Sequence, residues 1–378
     1  MTRLRTMALA GLAVCVAAAP VAAQAPMQIV PPAAQTKPPA PVTHSPAVPR
    51  TPKRPTTKRS VPEAPAVVKT EPVTPAPPEP GQTQATALRP SLPVTGPQPD
   101  VAFGAYQRGE YLAAFKEASR RASEQGDPVA MTLIGELYAN GYGVPKDEKK
   151  ALAWFSLAAD RGERQGIFAL AMFRFNGRGG PKDRAEAAVL LEKAAKAGHV
   201  AAAYNLALLY LAGQDVPANN ARAIELLTTA ADAGSPEAQY ALATLYKEGN
   251  VVAKDPVKAA QLLSSAARAS VLDAEVEYAI ALFNGTGVPK DESAAAVLFR
   301  KAAHKGNPIA QNRLARILAT GRGLPADPVG AARWHIIARA QGVSDTYLET
   351  FMQKLGTADR ENAEKTAKFW IAFSGPRS

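Results

Sequence analysis

A period of 36 residues runs through most of this chain and leaves it few folds to choose from. Gly126, Gly162, Gly198, Gly234, Gly306 and Gly342 keep that interval, and Ser270 stands at the one missing place. Gly141, Gly177, Gly213, Gly249, Gly285 and Gly321 form a second column without a break. Two alanine columns run alongside: Ala151, Ala187, Ala223, Ala259, Ala295, Ala331, and Ala158, Ala194, Ala230, Ala266, Ala302, Ala338. Six copies without an insertion imply a stack of equivalent units, each packed mainly against its neighbours.

Each unit reads as two antiparallel helices. Asp127-Pro128, Ser235-Pro236 and Asn307-Pro308 are start signals for the first, helix A. The polar side chain caps free backbone N–H groups, and proline fits the first turn, where its missing N–H costs nothing. The unbroken glycine column then ends helix A, because glycine tolerates the left-handed conformation of a helix stop. A short turn leads to a second cap column, Asp147, Asp183, Asn219, Asp255, Asp291 and Asp327, where helix B begins. The two alanine columns lie seven residues apart, so they share one helical face and let neighbours approach closely. Trp154, Leu190, Leu226, Leu262, Leu298 and Trp334 add bulk there. These features predict an all-α fold, an α/α solenoid.

The repeats span residues 126–341. A helix pair over 100–125, turning near Gly109-Glu110, is expected to cap one end. Closing helices over 342–378, started by Ser344 and Thr357, are expected to cap the other, with Leu348, Phe351 and Leu355 on one apolar face and Trp370 and Phe373 on another. The fifth repeat, 270–305, departs from the pattern at two places. Ser270 replaces a glycine, and Ala281 replaces a larger residue found at Leu245 and Ile317. It is expected to be the weak point of the stack.

The first 99 residues have a different composition. Arg3 and Arg5, the apolar run Met7 to Ala19 and the small residues Val21-Ala22-Ala23 fit an export signal, 1–23, cleaved after Ala23. The mature protein is then expected in the periplasm or secreted. Cys15, the only cysteine, leaves lipidation as an alternative, and it excludes disulfides and cysteine-based zinc sites from the repeats. Residues 24–99 hold 21 of the 33 prolines and read as a disordered linker rich in polyproline II. Arg50, Lys53, Arg54, Lys58 and Arg59 cluster there without an acid among them. They fit a weak contact with an anionic envelope polymer, or simply a solvated linker held extended by its charge. Of the net +11, only +4 falls on residues 100–378, and no aromatic residues interleave the basic cluster, so nucleic acid is not the expected partner.

The pattern resembles the Sel-one-like repeats (SLR), a branch of the tetratricopeptide-like helical repeats. The residues that carry the resemblance are Ala130, Ile134, Gly135, Tyr138, the turn Gly141 to Asp147, and Lys150 to Gly162. It covers 126–342, with the second unit most divergent at Arg174 and Gly180. The resemblance implies a right-handed superhelix serving as an adaptor, often in bacterial envelope processes, and no catalytic residue.

By the same analogy helix A lines the concave face. The candidate partner-binding stripe is Phe168, Met172, Phe175, Tyr204, Leu208, Leu211, Tyr240, Lys247, Ile280 and Phe283. Such a stripe suits a peptide or helix; packing between repeats would use the same residue types. His44, His199, His304 and His335 lack metal-ligand spacing and read as surface or helix-end residues. There is no nucleophile elbow or Walker loop. The GxG turns recur once per unit, as a structural turn does and a single phosphate site does not. No metal or cofactor is expected. The leading reading is an envelope scaffold for an unidentified protein or peptide. A regulatory subunit or inhibitor of a peptidoglycan-acting enzyme is the alternative, and a hydrolase with an unrecognised site is the remote one.

Overall fold

The computed structural model describes residues 100–374; the expected signal segment, Cys15 and the proline-rich arm lie outside the described residues. Sixteen helices and no strand occur among them. An N-terminal pair, α1 (Val101–Gln107) and α2 (Tyr111–Gln125), precedes the repeats. The six A helices are α3 (Pro128–Asn140), α5 (Arg164–Asn176), α7 (Val200–Ala212), α9 (Pro236–Glu248), α11 (Leu272–Asn284) and α13 (Pro308–Thr320). The six B helices are α4 (Glu148–Asp160), α6 (Arg184–Lys196), α8 (Asn220–Asp232), α10 (Pro256–Arg268), α12 (Glu292–His304) and α14 (Pro328–Ala340). Two closing helices follow, α15 (Thr346–Gln353) and α16 (Thr357–Ser374).

The caps form as their chemistry predicts. Asp127, Ser235 and Asn307 each accept from a backbone N–H in the first turn of helix A. All six residues of the second cap column do the same for helix B. The remaining A helices solve the problem differently. Glu163 accepts from the Gln165 and Gly166 N–H groups, and His199 Nδ1 accepts from the Ala202 N–H at 3.1 Å. Burial, then the charge of Arg164, holds the His199 imidazole below its ordinary pKa, which suits an accepting Nδ1. Val271, before α11, has no side chain able to cap.

The GxG turn has a packing purpose. Its second glycine lies against the start of the preceding helix B: a Cβ on Gly287 would fall 2.0 Å from the Pro256 carbonyl oxygen, and one on Gly323 2.2 Å from that of Glu292. Arg178 and Arg322, beside such glycines, reach back to Glu148 and Glu292 at the same helix starts. Both alanine columns are buried throughout. The bulk between them comes chiefly from the next position along, Phe155, Leu191, Leu227, Leu263 and Phe299, all buried. In the expected bulky column Leu226 and Trp334 are buried, whereas Trp154, Leu190, Leu262 and Leu298 are half-buried.

Apolar packing divides into separate clusters at the seam between the fourth and fifth repeats. Apolar packing runs from Ala139 to Leu245 and again from Val276 to Ala367, with a small cluster of Ala243, Leu263, Ala266, Ala267 and Ala274 between. Ser270 is the one non-glycine with positive φ among the described residues, at 66°. Gln239 and Gln311 each donate from Nε2 to a carbonyl of the previous helix B, those of Ala231 and Ala303, at 3.2 Å. Glu275 stands at the equivalent place, opposite Ala267. A carboxylate has no proton to give a carbonyl, so it pairs instead with Lys301 at 2.7 Å and Lys305 at 3.0 Å.

Three expectations at the C-terminal end need correction. Asp345, not Ser344, caps α15, accepting from the Tyr347 and Leu348 N–H groups. It outcompetes the serine because Arg316 also holds its carboxylate, at 2.5 and 2.8 Å. Phe373 is 72 % exposed and packs on exposed Phe369 instead of the core. His335 is fully buried, in the column otherwise filled by phenylalanine or leucine, where the helical period alone dictates burial. Its Nε2 lies 2.9 Å from Glu349 Oε1 on α15, but neither ring nitrogen has a well-aligned hydrogen bond.

Candidate functional site

The expected stripe falls into two sections. Phe168, Met172, Phe175, Tyr204 and Leu208, on α5 and α7, are all buried, at 8 % exposure or less. The exposed face expected there is thus corrected. The reason is compositional. From Gly166 to Phe173 and from Ala202 to Leu209 these two helices are almost wholly apolar, and a helix apolar on every side has no face that prefers water. Phe168 also stacks on the His199 ring, with centroids 4.3 Å apart. Leu211, Tyr240, Ile280 and Phe283 are half-buried, and Lys247 is exposed. The accessible section of the stripe therefore runs from Leu211, at the end of the third repeat's helix A, to Phe283 in the fifth.

Charge varies along this face. In the first repeat Glu136 stands where Met172 and Leu208 stand later. Burial pushes its carboxyl up to about 7, against the opposing pull of Asn140 and Arg178. On α9 and α11, Lys247 pairs with Glu277 at 2.9 Å. One turn away, burial and then Glu277 raise the Asp273 carboxyl. Burial foremost, with Asp273 and Glu277 adding to it, pushes the Tyr240 hydroxyl above its ordinary range. On α13 the sign reverses, with Arg313 and Arg316 facing the same side.

Two crevices open between successive A helices. The larger, about 250 Å³, lies between α11 and α13 and has Phe299 at its base. The smaller, about 150 Å³, lies between α9 and α11 over Ala259, Ala260 and Leu263. Ile280 borders both. Ala281, at the place of Leu245 and Ile317, lines the smaller one, a role that the sequence alone does not suggest. No group of three or more metal-ligating side chains occurs among the described residues, and no helix among them is long and apolar enough to cross a membrane.

The model of the Sel1 repeat matches six times in succession, at residues 128–163, 165–199, 200–235, 236–271, 272–307 and 308–343. The chain belongs to the Sel1 repeat family. Repeats of this family mediate protein–protein interaction and are typically scaffolds without catalysis of their own. Among solved structures, a Sel1 repeat protein from Oxalobacter formigenes is similar at 27 % identity, covering 65 % of this chain and 97 % of that one, with a TM-score of 0.55. A protective antigen of uropathogenic Escherichia coli with an SLR fold is similar at 26 % identity, covering 71 % of this chain and 67 % of that one, with a TM-score of 0.51. Comparison with curated proteins gives no match.

Proposed function

We propose that this Sel1 repeat protein is an exported scaffold that holds a protein or peptide of the cell envelope on the helix A face of its solenoid. The observation that carries the reading is the pair of crevices beside Ile280. They leave concave apolar surface open on the helix A face of repeats four to six. Export rests on the basic, apolar and small-residue segments of the first 23 residues. The arm that follows would let the solenoid reach a partner at some distance, and its basic cluster would favour an anionic polymer nearby.

The test is a crosslinking pull-down from periplasmic extract, using the chain purified from the envelope fraction. A partner retained by the wild type and lost when Ile280 and Phe283 are both replaced by serine supports the reading, provided the helical signal is unchanged. A stoichiometric enzyme whose rate changes on binding would make the scaffold a regulatory subunit. Mass spectrometry decides the export claim: a native chain beginning at Gln24 supports it, and one retaining Met1 in the cytoplasm refutes it.

A further inference from the structure

The two crevices are one feature repeated. Phe283 in the larger occupies the place of Lys247 in the smaller, and Phe299 that of Leu263. Ile317 takes the place of Ala281, and Arg313 that of Glu277. So the fold supplies the same slot twice, one repeat apart, and the side chains give each copy a different character.

The slot over Ala281 has an apolar floor of alanine and leucine. On its rim Lys247 and Glu277 pair with each other, and exposed Lys254 adds one cation without an acidic partner among the described residues. An apolar cavity of this size is large enough for one benzene ring, and therefore for one leucine or phenylalanine side chain. The slot beside Arg313 is cationic. With phenylalanine in the place of Lys247's equivalent and arginine in that of Glu277, the ion pair that closes the first slot cannot form. Arg313 is exposed and has no acidic partner among the described residues. Arg316 spends Nε and Nη2 on Asp345, which leaves Nη1 without a partner. Arg322 lies over the Phe283 ring at 4.5 Å.

We propose that the helix A face of repeats four to six binds an extended acidic peptide, with an apolar side chain in the slot over Ala281 and a carboxylate on Arg313 and Arg316. This rests on the scaffold reading above and specifies its partner. Neighbouring packed helices lie roughly 10 Å apart, and an extended chain rises about 3.3 Å per residue. The two side chains therefore stand three or so residues apart in the ligand. A polyanion such as nucleic acid or an anionic lipid surface fits less well. It would carry charge past Glu277, Asp273 and Glu248 on the adjoining helices, where a peptide can present a neutral residue. A single carboxylate next to an apolar residue meets attraction at one slot and no repulsion at the other.

Fluorescence anisotropy with the full chain tests this. The probes are labelled Gly/Ser peptides carrying leucine and glutamate three residues apart, with companions in which glutamate becomes glutamine or lysine, or leucine becomes serine. The leucine–glutamate peptide should bind best. Arg313→Glu should weaken it by about tenfold and shift preference to the lysine peptide, an exchange that general damage to the fold would not produce. Ala281→Leu fills the first slot, so it should abolish the advantage of leucine over serine while leaving the helical signal intact. Equal binding of the glutamate and lysine peptides, or Arg313→Glu and Ala281→Leu proteins that bind like wild type, overturns the proposal. If the pull-down still captures a partner and Arg313→Glu does not reduce its yield, the acidic-peptide proposal falls and the scaffold reading stands. If neither partner nor peptide binds, both fall.

Discussion

Replacing Ser270 by glycine should make the seam between the fourth and fifth repeats harder to open. Every other residue in that column is glycine with positive φ, and Ser270 holds the same conformation at 66°. A residue with a Cβ pays about 1–2 kcal/mol for the left-handed region. Glycine gives back roughly 0.5–1 kcal/mol through its looser unfolded chain, so the net gain is about 0.5–1 kcal/mol. Ser270 is exposed and makes no side-chain hydrogen bond that the change would remove. In a stack held by nearest-neighbour contacts the gain stays local, so global melting is a blunt probe. Native-state amide exchange is the sharper one. In the wild type, amides at the end of α10 and the start of α11 should exchange faster than their equivalents one repeat away on either side. Ser270→Gly should slow them by about two- to fivefold, at about 1.4 kcal/mol per tenfold, and leave the first two repeats unchanged. Wild-type exchange at this seam as slow as at its neighbours, or no slowing in the variant, would refute the reasoning.

Gly287→Ala should destabilise by more than about 2 kcal/mol, adding a clash with the Pro256 carbonyl to left-handed strain; Gly285→Ala, whose Cβ would meet only the Lys290 side chain at 3.2 Å and backbone at 3.6 Å, should cost less in the same urea titration. His335→Phe should raise the melting temperature, because a buried Nδ1 without a partner costs about 1–3 kcal/mol, more than the Nε2 contact with partly exposed Glu349 returns, and the column otherwise holds phenylalanine or leucine. Burial pushes the Asp345 carboxyl up, but hydrogen bonds from Arg316, Asn312 and the Leu348 N–H outweigh it and hold the pKa below the usual range. A depressed carboxylate stabilises the fold above its unfolded pKa of about 3.9 and loses that effect as pH falls through the folded value. Asp345→Asn should therefore cost about 1 kcal/mol at neutral pH, and the gap to wild type should shrink below about pH 4.

Much of this architecture is legible in the sequence because each column repeats one physical requirement six times. Gly141 and its equivalents are needed for a left-handed stop, Asp147 and its equivalents for free N–H groups, and the alanines for close approach. What resisted reading was whatever occurs once. His199 caps a helix through a ring nitrogen, which no propensity suggests, and His335 is buried by register although its chemistry points outward. The binding stripe was only half legible, since spacing puts Phe168 and Ile280 on equivalent faces without revealing that one is buried and the other borders an opening. The character of the crevices depends on single residues: Ala281 lines one without a bulky side chain, and Arg313 replaces the glutamate that pairs with lysine in the other. Single-residue features of this kind show only when neighbours from different repeats are seen together.

Cohesion between copies is the premise beneath all of these arguments, and it can be measured directly by circular dichroism on excised units. A peptide spanning only residues 200–235 should be largely unfolded in water, because its alanine faces have nothing to pack against. Chains of two, three and six repeats should gain helix and melting temperature step by step. A single repeat that melts cooperatively, at a temperature unchanged by adding neighbours, would contradict the account.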